Sequence, residues 1–101
     1  MVFIYTTCAT GEEAQKLGKL LLSRKLAACV DYWPIRSMYR WEGEIKHHEE
    51  IMMMIVTFEP KIETVNGLIA KHHSYSVPLI GSVDVRRIYR PYKEWMAKEV
   101  V

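Results

Sequence analysis

The stretch that decides the fold is Ile35–Phe58, IRSMYRWEGEIKHHEEIMMMIVTF. Its first limb, Ile35–Trp41, alternates between two sets of side chains, which predicts a β-strand with two different faces. Gly43 lies between charged neighbours and can adopt the positive φ that a short hairpin loop needs. The second limb contains no glycine or proline before Pro60, so the stretch predicts one long β-hairpin.

The length of this hairpin predicts that it projects from its subunit. A strand over Glu44–Phe58 at ~3.3 Å per residue spans roughly 50 Å, whereas a compact domain of ~100 residues is only about 35 Å across. The tip is charged, but Tyr39, Trp41 and Ile45 are poorly suited to water, and so is a long unpaired strand edge. We therefore expect a partner surface, which a closed ring of identical subunits supplies without open-ended growth.

The composition is that of one globular domain. The chain has 101 residues, half of them apolar and about a quarter charged, and we expect a single domain over residues 1–101. The net charge of +2 is too small to favour nucleic acid or a membrane surface as a partner, and no apolar run approaches the ~20 residues that span a bilayer. Two cysteines and a start without a signal-peptide pattern predict reduced thiols and a cytoplasmic protein.

Apolar periodicity and turn residues predict the other elements. Thr10 followed by Glu13 is a capping-box pattern that starts a helix, and Pro34 favours an edge position for the strand that contains it. In chain order we predict a central strand over Val2–Thr6, a helix from Thr10 to about Lys25, a strand over Leu26–Tyr32 that continues into the hairpin, a helix from Pro60 to about His72, a loop at 73–76, a strand over Leu79–Val85 and a terminal helix over Tyr92–Val101.

The order of these elements, β-α-β-β-α-β with an added helix, predicts the fold class. It is an α+β fold of the ferredoxin-like type, a split βαβ sandwich in which an antiparallel sheet carries both main helices on one face. The other face must be covered as well, since the side chains of Met52–Val56 are apolar on both faces of the strand. We expect the terminal helix to cover part of it and other subunits to cover the rest.

Several motifs together identify a family. The specific ones are the hairpin Tyr39-Arg40-Trp41-Glu42-Gly43 and the loop His73-Ser74-Tyr75-Ser76-Val77-Pro78, supported by Tyr5-Thr6-Thr7, Lys25–Val30, Glu50 and Tyr92–Trp95. Over essentially its whole length the chain resembles the CutA family, also called divalent-cation tolerance proteins. The resemblance implies a homotrimer whose hairpins pair across subunits, similar in architecture to the trimeric PII signalling proteins. The family often has proline where this chain has Ser74.

The resemblance also implies a function. Members are associated with tolerance of copper or other divalent metals, and no enzymatic activity or required cofactor is implied. For this chain we therefore expect a non-enzymatic, trimeric protein of metal tolerance that binds Cu(II) or another divalent cation, or that acts as a PII-like signalling module.

The candidate metal ligands are two adjacent histidines, His72 and His73. Neutral imidazole suits Cu(II), Zn(II) and Ni(II), although helix-end capping is an alternative role for the pair. In some CutA members a cysteine near the end of the first strand joins the histidines, and here that position is Thr6, a poor ligand for such metals. Cys8 is the weaker third candidate, because it shares the face of Thr6 if the strand continues that far.

Four aromatic residues are the candidate interface residues. They are Tyr39, Trp41, Tyr75 and Trp95. Large aromatics with a polar tip are what interfaces prefer, and a ligand cleft between subunits is the alternative for the same residues. His47 and His48 point to opposite faces of a strand, so they cannot chelate one ion within a single chain.

The alternative to a non-enzymatic role is a small-molecule or acyl-phosphate-type hydrolase that uses clefts between subunits. Small ferredoxin-like hydrolases of this kind use an arginine-bearing loop after the first strand and an asparagine. Here the loop Thr7–Gly11 has no arginine, and the only asparagine, Asn66, lies inside a predicted helix. The residues therefore do not support the hydrolase alternative. RNA binding is not supported either, because the pattern of a basic residue, glycine and an aromatic residue is absent.

Overall fold

The computed structural model describes all 101 residues, and it contains four strands and three α-helices. In chain order they are β1 (Val2–Cys8), α1 (Gly11–Ser23), β2 (Cys29–Trp41), β3 (Glu44–Thr57), α2 (Ile62–His72), β4 (Gly81–Asp84) and α3 (Arg90–Glu99), with a 3-10 turn at Glu59–Lys61 before α2. The strands form one antiparallel sheet in the order β2-β3-β1-β4, which confirms the predicted ferredoxin-like arrangement. None of the helices combines the length and the hydropathy that crossing a bilayer requires.

Strand β1 lies in the centre of the sheet, between β3 and β4, as its apolar composition predicts. It runs two residues beyond the predicted end, so Thr6 and Cys8 point to the same face and are both buried. On that face the main core joins the sheet to the two long helices. Its most deeply buried members are Val2, Ile4, Leu21, Ile55, Val65 and Ile69.

Helix α1 begins where the capping pattern predicts. Thr10 is the N-cap, and its hydroxyl accepts a hydrogen bond from the Glu13 N–H at 3.1 Å. The Glu13 side chain departs from the capping box, because its Oε1 accepts from the N–H of Ala9 at 3.0 Å instead of from the N–H of Thr10. The helix ends at Ser23, and Lys25 then takes a φ of 56°, which turns the chain back toward the sheet.

Strands β2 and β3 form the predicted hairpin. They are 13 and 14 residues long and pair along the whole of β2, with Pro34 accommodated because β2 is an edge strand. The two turn residues, Glu42 and Gly43, have φ values of 49° and 80°, which are the signs that a type I′ turn requires. The molecule measures 47 × 25 × 21 Å, so the hairpin makes it about twice as long as it is wide.

Helix α3 covers part of the second face of the sheet. Met96 and Val100 are buried against Ala28 and Val56, next to Phe3. Beyond α3 the hairpin leaves large apolar side chains exposed. They are Tyr32, Trp33, Met38, Tyr39, Trp41 and Ile45. This is the surface for which the sequence predicts a partner.

Strand β4 is shorter than the sequence predicts. It covers Gly81–Asp84 and pairs with β1 alone. Leu79 precedes the strand, is half-exposed and lines a cleft beside the hairpin. Its apolar side chain therefore belongs to the cleft and not to a strand, a difference that the sequence pattern does not show.

Ion pairs contribute little to this fold. The two side-chain pairs, Lys46–Glu44 and Arg90–Glu94, are both exposed to solvent. Pairs of that kind are typically worth ~0–1 kcal/mol and are screened by salt. The fold is therefore held mainly by apolar burial and by backbone hydrogen bonds.

Candidate functional site

Three potential metal ligands meet at the end of β1, the start of α1 and the loop after α2. The Cys8 thiol, the Glu13 carboxylate and the His73 imidazole each offer one ligand atom, and these atoms all lie within 4.8 Å of one another. Cys8 is buried, while Glu13 and His73 are half-buried. We name these three residues the donor cluster.

The His73 imidazole uses both of its nitrogens in hydrogen bonds. Nε2 lies 2.7 Å from the carbonyl oxygen of Thr7, and Nδ1 lies 2.9 Å from the backbone nitrogen of Tyr75. A carbonyl can only accept and a backbone N–H can only donate, so the proton belongs on Nε2 and Nδ1 is the acceptor. These partners assign the neutral Nε2–H tautomer to His73.

The Glu13 carboxylate also holds two backbone groups. Its Oε1 accepts from Ala9, and its Oε2 accepts from the N–H of Ser74 at 2.8 Å. Burial alone raises the pKa of Glu13, but the hydrogen bonds from Ser74 and Ala9 outweigh it, so the pKa is lower than usual. Because proline has no N–H, this contact requires a residue other than proline at position 74, and Ser74 provides the donor.

The Cys8 thiol is protonated in this surrounding. Its Sγ donates to the sulfur of Met53 at 3.3 Å. Burial, with the nearby carboxylates of Glu13 and Glu50, raises the pKa of the Cys8 thiol to about 12. A coordinated cation reverses this preference, because its charge favours the thiolate. A metal that bound Cys8 would therefore release a proton.

The two adjacent histidines of the sequence prediction are placed differently. His73 belongs to the donor cluster, whereas His72 does not. His72 is the exposed last residue of α2 and lines a hollow of about 380 Å³ beside α1, together with Lys16 and Lys19. Cys8, the weaker candidate, lies in the cluster because β1 continues that far.

A second feature, which we name the hairpin cleft, opens between the hairpin and the segment 75–79. Its volume is about 550 Å³. Its lining residues include Thr7, Tyr39, Trp41, Lys46, Glu50 and Tyr75. The Tyr75 hydroxyl donates to Glu50 Oε2 at 2.8 Å, and Glu50 is only 7% exposed. Burial, and then this bond to Glu50, raise the pKa of Tyr75.

Three of the four predicted interface residues share the hairpin cleft. Tyr39, Trp41 and Tyr75 line it together, and the Tyr39 hydroxyl lies 2.9 Å from Nδ1 of His48. Trp95 lies elsewhere, on α3, where its ring packs against Tyr92 with 5.3 Å between the ring centres.

Neither Glu13 nor Glu50 is among the site residues predicted from the sequence. Glu13 was predicted only as a cap, and its capping pattern gives no hint that it also binds a loop 61 positions later. Glu50 carried a usable signal, because it lies among the residues that resemble the CutA family and where the charged tip of the hairpin gives way to apolar sequence.

The family model described as "CutA1 divalent ion tolerance protein" matches residues 2–99. The chain belongs to the CutA1 family. The Divalent-cation tolerance protein CutA of Archaeoglobus fulgidus is 37% identical over 98 residues, which are 97% of this chain and 96% of the relative. The protein of the same name from Thermotoga maritima is 32% identical over 101 residues and is matched over the full length of both chains.

Solved CutA structures share the fold. The periplasmic divalent cation tolerance protein CutA from Archaeoglobus fulgidus superposes with a TM-score of 0.97 at 36% identity, over 100% of both chains. CutA1 from Pyrococcus horikoshii gives a TM-score of 0.96 at 33% identity, over 100% of this chain and 99% of that chain. These likenesses confirm the predicted family and the α+β fold.

The CutA relatives contradict the cytoplasmic location predicted from the sequence. The Archaeoglobus fulgidus structure is of a protein named periplasmic. A rice relative, 30% identical over 94% of this chain and 54% of its own length, is named chloroplastic. The prediction relied on the two cysteines and on a start without a signal-peptide pattern. It is wrong because neither feature specifies a compartment: Cys8 and Cys29 are buried and half-buried thiols that do not need a reducing compartment to stay unpaired.

Proposed function

We propose that the chain forms a homotrimer that serves divalent-cation tolerance by binding a cation, with Cu(II) as the expected ion, and not by catalysis. The observation that carries this proposal is the donor cluster, which brings one sulfur, one carboxylate and one imidazole within 4.8 Å of one another. Sulfur and imidazole donors suit Cu(II) and Zn(II), whereas Mg²⁺ and Ca²⁺ take oxygen ligands. Three protein ligands leave a coordination position for water or for another subunit.

The homotrimer is supported by the hairpin. The arm extends the molecule to 47 Å and exposes Trp41 and Ile45 to more than half of their full extent. Its outer strand β2 is a long edge with unpaired backbone groups. A closed ring of three subunits covers this surface and leaves no edge free for further growth.

The non-enzymatic part of the proposal is supported by the chemistry of the site. A nucleophilic cysteine needs a lowered pKa, and the pKa of the Cys8 thiol is raised to about 12. An acyl-phosphate hydrolase of the ferredoxin-like kind needs an asparagine near the loop after β1, and Asn66 is an α2 residue that lines neither the hairpin cleft nor the hollow at His72.

A PII-like signalling role is the second candidate function. The observation that favours it is the hairpin cleft, whose volume of about 550 Å³ suits a small molecule. This role predicts that a metabolite, and not a metal ion alone, saturates the protein. A screen by thermal shift with metal-free protein, with and without common metabolites, separates the two candidates.

The metal proposal is tested by titration calorimetry with Cu(II) in a non-chelating buffer. We expect one ion per subunit and a loss of affinity of about 10-fold or more in His73→Ala. His72→Ala is the matched control, because it removes the neighbouring imidazole outside the donor cluster, and its affinity should equal that of the wild type. Equal affinity in all three proteins would reject the site.

The homotrimer is tested by light scattering of the metal-free protein. We expect a mass about three times that of the 11.9 kDa chain, independent of concentration in the micromolar range. A stable mass of one chain would reject the trimer and leave the exposed hairpin without a physical explanation.

A further inference from the structure

The donor cluster and the hairpin cleft are connected by one loop, His73–Ser76. We infer that a cation bound at the donor cluster and the hydrogen-bonded position of this loop exclude each other, so that metal binding releases Tyr75 from Glu50 and opens the hairpin cleft. This inference rests on the proposed function, because it requires the cation to bind His73.

Both nitrogens of His73 are engaged in hydrogen bonds. If Nδ1 binds the ion, it gives up the lone pair that now accepts from the Tyr75 N–H at 2.9 Å. If Nε2 binds, its proton must leave, and in a neutral imidazole that proton moves to Nδ1, which then can no longer accept. In either case the Tyr75 N–H loses its acceptor. His73 therefore cannot hold the ion and the present loop at the same time.

Glu13 adds to the same competition. Its Oε2 accepts from the N–H of Ser74 at 2.8 Å, and its Oε1 accepts from Ala9. A cation that draws the carboxylate toward itself weakens these bonds, because the same oxygens supply the electron density for both. Cation binding therefore weakens the hydrogen bonds of two consecutive backbone N–H groups, those of Ser74 and Tyr75.

Tyr75 carries the change into the hairpin cleft. Its ring lies 4.8 Å from the His73 ring, and its hydroxyl donates to Glu50 at 2.8 Å. When the backbone of Tyr75 moves, the hydroxyl moves away from Glu50. Glu50 is 7% exposed, and a buried carboxylate without a donor is costly, so water or a ligand must enter the cleft to replace the Tyr75 hydroxyl.

Linkage makes this inference testable, because coupling between two sites is reciprocal. Loosening the loop from the cleft side should strengthen metal binding at the cluster. Tyr75→Phe removes the bond to Glu50 and keeps the ring and the backbone. Tyr39→Phe is the matched control, since its hydroxyl bonds to His48 in the same cleft and makes no hydrogen bond to the loop.

The experiment uses Zn(II) alone as the probe, with the full chain and calorimetric titration. We expect Tyr75→Phe to bind Zn(II) about 5-fold more tightly than the wild type, and Tyr39→Phe to bind it equally. A second measurement is amide hydrogen exchange: the Tyr75 amide should lose protection when the protein is saturated with Zn(II), while amides in the middle of β1 should not.

The outcomes separate this inference from the proposed function. If His73→Ala weakens Zn(II) binding but Tyr75→Phe does not strengthen it, and the Tyr75 amide stays protected, then the cation binds at the cluster without moving the loop and the inference is wrong. If His73→Ala leaves the Zn(II) affinity unchanged, the cation site is elsewhere, and the proposed function and the inference both fail.

Discussion

At the scale of single residues, the donor cluster has two roles that use the same atoms. Glu13 and His73 accept hydrogen bonds from three backbone N–H groups, those of Ala9, Ser74 and Tyr75. Glu13 joins the loop after α2 to α1 through Ser74, and His73 fixes the turn of the loop itself through Tyr75. The same lone pairs are the ones that a cation would take, so stability of the loop and affinity for metal oppose each other.

Glu13 should make the stability of the metal-free protein depend on pH in acid. Its folded-state pKa is lower than the ordinary value of 4.5, so its contribution is present above about pH 4.5 and is lost as the pH falls through the folded-state pKa. Glu13→Gln should lose less stability than the wild type between about pH 6 and pH 3. Urea unfolding with a chelator present measures this.

The control for this prediction is Glu12→Gln. Glu12 is exposed in the same first turn of α1 and makes none of the side-chain hydrogen bonds of Glu13. Its variant should follow the acid profile of the wild type. If the Glu13 and Glu12 variants have the same profile, the contacts of Glu13 with the loop do not contribute to stability.

Two buried threonines give a second prediction at this scale. The Thr57 hydroxyl donates to the carbonyl of Leu26 at 2.6 Å, whereas the Thr6 hydroxyl is buried without a partner. Thr57→Val should cost about 1–3 kcal/mol, because it leaves the Leu26 carbonyl without its donor. Thr6→Val, a substitution of the same shape, should be neutral or stabilising. Chemical denaturation of both variants measures the difference, and equal losses would contradict the assignment.

At the scale of elements, the hairpin is defined by its turn as much as by its strands. Glu42 has a φ of 49° and Gly43 a φ of 80°, and glutamate is not favoured in the left-handed region. Asparagine followed by glycine is the preferred pair for such a turn. The hairpin therefore has a suboptimal residue at its tip.

Glu42→Asn should stabilise the protein by about 0.5 kcal/mol, and Gly43→Ala should destabilise it by about 1–2 kcal/mol. The reason is the positive φ at both positions, which asparagine tolerates and alanine does not. Glu44→Asn, one residue beyond the turn, serves as the control. Thermal unfolding at constant protein concentration measures all three. A stabilising Gly43→Ala would contradict the turn geometry.

The sequence was informative where local pattern decides structure. The strand β2, the cap at Thr10 and the edge position of Pro34 were predicted from local features, and the structure confirms each of them. Strand β4 is shorter than predicted, because Leu79, although apolar, lines the hairpin cleft and is not paired in the sheet.

The candidate site was predictable only in part, for the same reason. Adjacent histidines identify His73 but cannot show that His72 faces another hollow. Glu13 becomes a partner of Ser74 only when the loop after α2 returns to the start of α1, which is a tertiary event. No pattern within one segment contains that information.

At the scale of the whole molecule, assembly should depend on the exposed arm. Trp41 is 54% exposed on the hairpin, and buried tryptophans at the centre of interfaces are often worth about 2 kcal/mol or more. Trp41→Ala should therefore shift the proposed trimer toward smaller species on dilution. Analytical ultracentrifugation over a concentration series measures this shift.

The matched control for the arm is Leu22→Ala. Leu22 is also apolar and 44% exposed, but it lies on α1, away from the hairpin. Its variant should keep the oligomeric state of the wild type at every concentration. A trimer that tolerates Trp41→Ala but not Leu22→Ala would place the contact surface on the helical face.

The scarcity of ion pairs has a consequence for how this protein responds to dissolved ions. Lys46–Glu44 and Arg90–Glu94 are its only ion pairs between side chains, and both are exposed to solvent. Screening by salt therefore removes very little stabilisation from the folded subunit. Sodium chloride and magnesium chloride should leave the melting temperature nearly unchanged. A cation that does change it must act through direct bonds to a few atoms.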